Sequence, residues 1–157
     1  MAILNYTTEI AAQRSVSEIV ALLVRKGAQS ITHEYFADGR VKSVSFLMQV
    51  GDFPVRFLLP ANTEGVAGIL KKERPYNYSR NRGGIDNYYR AQREQAERIA
   101  WRILKDWVEA QVALIESGQA EPAQIFLPYA QQPDGRTMYE LFLESKQKQL
   151  PATTEIQ

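Results

Sequence analysis

Residues 41–60 read VKSVSFLMQVGDFPVRFLLP, and this stretch decides the fold. Val44, Phe46, Met48 and Val50 fall on alternate positions, so a strand carries all of them on one face. Gly51-Asp52 offers a tight turn with glycine first, and Phe53, Val55, Phe57 and Leu59 alternate again beyond it. The pair 41–50 and 53–59 therefore predicts a β-hairpin with one oily face. That face needs a cover, and a helix packed on an antiparallel sheet is the economical solution.

Upstream, residues 29–36 are rich in β-branched and aromatic side chains and run into the turn pair Asp38-Gly39, which predicts a further strand. Residues 3–10 place Leu4, Tyr6, Thr8 and Ile10 on one side, a half-buried strand pattern. Between them, Ser15-Val-Ser-Glu18 has capping-box spacing, and Val16, Ile19, Val20 and Leu23 form one apolar helical face that Gly27 can end. The expected fold is α+β: an antiparallel sheet of about four strands in the order β-α-β-β-β, then a long amphipathic helix and short C-terminal helices.

Downstream, Pro60 stops the last strand, and Asn62 or Thr63 can cap a short helix over roughly 63–72. Gly65 and Gly68 weaken that helix, each by about 1 kcal/mol against alanine. The strongest helical signal covers about 87–117. Ala96, Ala100, Ile103, Trp107, Ala110 and Leu114 form one stripe, and Trp101, Leu104, Val108, Val112 and Ile115 form a second beside it. Two stripes exceed the needs of one packing surface. They predict self-association, as a dimer through helix 96–115 or the sheet edge, with Trp107 in the core and the Trp101 stripe open to a second subunit. Pro122 suits the start of a short helix through Phe126 and Leu127, and Pro133-Asp134-Gly135 is a turn. The aromatic block Phe126, Tyr129 and Tyr139 is expected to fold back on the long helix. Residues 1–145 read as a single domain and 146–157 as a polar, frayed tail.

Composition narrows the chemistry. The chain has 157 residues, 45% hydrophobic and 24% charged, as a globular domain does. No apolar run is long enough to span a bilayer, and the first residues lack the pattern of a signal peptide, so the cytoplasm of a host cell is the expected location. There is no cysteine and a single histidine, His33, which excludes disulfides, thiolate metal sites, cysteine nucleophiles and multi-histidine centres within one chain. Glu34, Asp38 and Asp52 are the carboxylates that could converge near strand ends for acid–base work, but Asp38 and Asp52 are already explained as turn residues. Binding without a cofactor, rather than catalysis, is the expected mode.

The strongest functional signal is Lys71–Arg93, KKERPYNYSRNRGGIDNYYRAQR. It holds seven of the chain's nineteen basic residues against Glu73 and Asp86 alone, while the whole chain is formally +1. Arginines supply forked donors to phosphate and tyrosines supply stacking faces, so the segment points to a nucleotide or nucleic acid. The expected contacts are Arg74, Tyr76, Tyr78, Arg80, Arg82, Tyr88, Tyr89 and Arg90, with Pro75–Gly84 ordered only on binding. The bland alternative is a solvated loop whose Tyr88 and Tyr89 help bury the first turn of the following helix. A protein partner recognised through the broad helix and the aromatic C-terminal block is the competing function.

Several blocks carry a resemblance. NYTT at 5–8, SVSEI at 15–19, FLLP at 57–60, AWRILKDWVEAQ at 100–111, IFLPYAQ at 125–131 and TMYE at 137–140 resemble a family of small proteins encoded by tailed phages and prophages. The resemblance implies a viral accessory role, such as counter-defence, and supplies no catalytic residues. The basic segment lies outside these blocks.

Overall fold

The computed structural model describes residues 2–149. In chain order they form α1 (Ala12–Arg25), β1 (Ser30–Tyr35), β2 (Val41–Val50), β3 (Phe53–Pro60), α2 (Thr63–Glu73), α3 (Ile85–Glu116), α4 (Pro122–Phe126), a 3-10 turn (Leu127–Tyr129) and α5 (Met138–Gln149). The class is α+β with an antiparallel sheet, as expected, but the sheet has three strands in the order β1-β2-β3.

The hairpin has the expected register, with Val50 opposite Phe53 and Phe46 opposite Phe57. Gly51 opens its turn at φ +58°, a conformation glycine takes without strain. The missing strand is residues 3–10. Asn5 sits at φ +61°, and the Thr8 N–H donates to the Asn5 carbonyl, so the backbone turns instead of extending. Its orphan carbonyls find a side chain in place of a sheet: Gln95 Nε2 donates to Tyr6 O at 3.1 Å and to Thr8 O at 2.9 Å. Ile3 and Tyr6, three apart, then both reach the apolar seam between α2 and α3.

The expected capping box at Ser15–Glu18 is also corrected. Helix α1 begins at Ala12, which places Ser15 inside it, fully buried. Glu18 instead turns to the long helix and accepts from Arg102 at 2.6 Å. The C-terminus does close on Gly27 as expected. At φ +98° it lets the Gly27 N–H reach Val24 O and the Ala28 N–H reach Leu23 O, a Schellman ending.

Helix α3 has 32 residues, a length of about 48 Å, and it serves two cores. Val16, Ile19 and Leu23 of α1, Val44, Phe46, Phe57 and Leu59 of the sheet, and Trp101, Val108 and Val112 of α3 form the larger one. Phe126 completes it, with ring centroids 5.2 Å from Phe46 and 6.0 Å from Trp107, so Phe126 and Tyr129 fold back on α3 as expected, whereas Tyr139 is 56% exposed. The stripe assigned to a second subunit is therefore interior: Trp101 has no exposed surface. The smaller core, Val66 and Leu70 against Ala96, Ile99 and Ala100, joins α2 to the N-terminal half of α3. Helix α5 continues through Gln149, and residues 150–157 of the expected tail lie outside the described residues.

Helix α2 is fixed by its cap, Asn62, whose Oδ1 accepts from the Gly65 N–H at 2.9 Å. A Cβ on Gly65 would lie 2.7 Å from Asn62 Nδ2, whereas one on Gly68 meets nothing within 4 Å. Gly65→Ala should therefore displace the cap, costing about 0.5–2 kcal/mol, and Gly68→Ala should stabilise by about 0.5–1 kcal/mol. Urea melts of both variants check this pair of opposite signs.

Candidate functional site

The basic segment forms the far end of the α2–α3 hairpin. Lys71 and Lys72 occupy the last turn of α2, where the helix dipole favours cations, and Asp86 occupies the first turn of α3, where it favours an anion. Gln92 of α3 ties the two together, donating to Leu70 O at 3.2 Å, which also accepts from the Arg74 N–H, and to Arg74 O at 3.0 Å, past the end of α2.

The connection, expected to order only with ligand, is closed by its own bonds. Tyr76 Oη donates to Asn81 O at 2.9 Å, the Asn77 N–H to Asn81 Oδ1 at 3.0 Å, and Tyr88 Oη to Arg74 O at 2.8 Å. The Tyr76 N–H donates to Tyr89 Oη at 3.1 Å. The four tyrosines come together as the sequence suggests, but they pack on one another edge to face. Ring centroids lie 4.9 Å apart for Tyr76–Tyr78, 5.5 Å for Tyr76–Tyr88 and 5.3 Å for Tyr88–Tyr89. Tyr76, Tyr88 and Tyr89 thus hold the hairpin end, and Tyr78, 83% exposed, keeps an open ring.

Ion pairing is partial outside the segment, where Lys42, Arg56, Arg98, Lys146 and Lys148 meet no carboxylate within 4 Å among the described residues, and absent within it. Outside the segment, Arg14, Arg25, Lys26, Arg40, Arg102, Lys105 and Arg136 each meet a carboxylate within 4 Å. Among the described residues, none of the seven in the segment does. Arg74 lies over the Tyr6 ring, 4.6 Å from its centroid, and Lys71 over the Tyr89 ring at 5.1 Å. Arg90 donates to Asn87 Oδ1 at 2.9 Å. Arg80 and Arg82 are exposed and make no side-chain hydrogen bond among the described residues.

On one flank of the hairpin is a groove of about 450 Å³. Lys71, Arg90 and Arg93 line it with Glu64, Asp86 and the Tyr89 ring, over a floor that includes Ala67 and Gly68. Lys71 and Arg93 were not among the expected contacts. Spacing carries the signal that finds them: 64, 68, 71 and 86, 90, 93 each follow i, i+4, i+7, one face per helix. Arg74 does not share this groove; it lines a cleft on the other flank with Tyr6 and Gln95.

The carboxylates considered for acid–base work do not converge. Glu34 accepts from Ser43 Oγ at 3.1 Å and Asp38 from Arg40 Nε at 2.7 Å, near one end of β2. Asp52 is in the turn beyond the other end, about 30 Å along the strand. Glu97, which the sequence reading did not single out, lines a small cleft with Arg40 at 3.7 Å. Burial pushes its carboxyl above the ordinary range, and Arg40 offsets this only in part. The pair ties the β1–β2 turn to α3.

No protein-family model, curated protein or solved structure matches this chain. Function is therefore read from its own residues. No helix among those described is long and apolar enough to cross a membrane.

Proposed function

We propose that the chain is a binding protein whose α2–α3 hairpin end receives an anionic, base-containing ligand, a nucleotide or nucleic acid. The supporting observation is the set of seven cations that meet no carboxylate within 4 Å among the described residues, beside a groove and an open tyrosine ring. Cations paired at contact distance inside a protein lose much of their pull on a ligand; these, farther from any described carboxylate, keep more of theirs. The tyrosines act mainly as framework, holding the loop so that Arg80 and Arg82 project from a fixed base. At low salt the protein should bind a fluorescent oligonucleotide or nucleotide. Failure to bind either would remove this reading.

The phage resemblance supports an accessory role in an infected cell, such as counter-defence. Its blocks contain the core residues Trp101, Val108 and Phe126, and the basic end lies outside them. A second reading, an adaptor or inhibitor of a host protein, is favoured by one observation. Leu127, Tyr139, Phe142 and Leu143 of the C-terminal arm are all exposed. Stable co-purification with a host protein, lost in Tyr139→Ala/Phe142→Ala, would favour it over the first. With the Trp101 stripe interior, self-association falls to the edge of β1 and this arm. Light scattering should give a dimer mass at tens of micromolar, and a strict monomer would count against it.

A further inference from the structure

The cations of the hairpin end do not converge on one point. Lys71, Arg90 and Arg93 line the groove on one flank, Arg74 lies over Tyr6 on the other, and Arg80 and Arg82 stand on the connecting loop. The phosphates of a free nucleotide are contiguous and need donors gathered around a single site. Dispersed donors instead match charges repeated along a backbone.

The groove's own balance agrees. Lys71, Arg90 and Arg93 against Glu64 and Asp86 leave one net positive charge (three minus two), matched to one phosphodiester and not to a triphosphate. A third observation concerns the bases. Of the four tyrosines only Tyr78 presents an open ring, and such a platform serves a base that is not already stacked in a duplex.

Resting on the anionic-ligand reading above, we propose that the α2–α3 hairpin end binds a single-stranded polynucleotide. One phosphodiester lies in the groove over Gly68, and a base lies on Tyr78. The strand crosses the loop past Arg80 and Arg82, with no base-specific contact required.

Gly68 gives a direct test, because it has helical geometry and its Cβ position is open. Gly68→Glu leaves every cation in place and brings the groove to neutrality, and Gly68→Gln adds the same bulk without charge. Binding is read by fluorescence anisotropy with a single-stranded oligothymidylate of about 15 nucleotides, against ATP and a duplex of equal length. Wild type should prefer the single strand to both by about tenfold or more. Gly68→Glu should weaken it by a similar factor, Gly68→Gln should stay near wild type, and Tyr78→Ala should weaken it as well. Lys71→Ala/Arg93→Ala, at two exposed positions, reads the groove independently of any change in α2. Equal binding of ATP or duplex would overturn the ligand class while leaving the anionic reading intact. Equal binding by the groove variants would overturn the groove. No binding of any probe at low salt would sink the underlying reading and this one together.

Discussion

Replacing Trp101 with alanine should cost about 3–5 kcal/mol, and lower Tm by about 6–20 °C in a domain of this size. The indole has no exposed surface and lies in the cluster that joins α1, the sheet and α3. No helix shift can close such a void without parting α3 from α1. Its Nε1–H has no acceptor among the described residues, so packing alone holds the ring. Trp101→Phe, which removes that desolvated donor, should therefore cost less than half as much. Chemical denaturation followed by circular dichroism checks both. A loss below about 1 kcal/mol for the alanine variant would mean that Trp101 is not in the core.

The second large effect falls on binding and spares the fold. Arg80→Ala/Arg82→Ala should weaken the ligand by about tenfold or more while leaving Tm unchanged. Neither guanidinium bonds or pairs among the described residues, so their removal takes no such contact from the fold. The loop framework of Tyr76, Asn77 and Asn81 also stays in place. Isothermal titration beside a thermal melt separates the two quantities. Unchanged affinity would make the loop a solvated connection, and would shift the site to the flanking groove alone.

Strand signals were legible where the period was long and the turn chemistry agreed, as at 41–60 and Asp38-Gly39. Residues 3–10 show why alternation alone misleads. Leu4 is exposed, and what fixes that segment is Gln95, nearly ninety residues away, donating to its carbonyls. No local pattern reports a partner so remote. Ser15–Glu18 failed because α1 starts three residues before Ser15, so the Ser15 N–H already bonds to Ala11 O and leaves Glu18 free for Arg102. Within the site, composition located the segment and its tyrosine cluster. It could not distinguish rings open to a ligand from rings packed on one another, since that depends on how α2 and α3 pair. The groove was legible in part, through the i, i+4, i+7 faces at 64, 68, 71 and 86, 90, 93.

The dependence of binding on salt tests the central claim most directly. Each phosphate neutralised on a single strand should contribute about −0.7 to the slope of log K against log salt. Three to seven engaged cations therefore predict a slope of about −2 to −5, measured with the oligothymidylate between about 50 and about 200 mM salt. Loss of Arg80 and Arg82 should make it shallower by about 1.4. A slope near zero in the wild type would contradict the account, because a phosphate-bearing strand held by the cations of the hairpin end cannot be indifferent to salt.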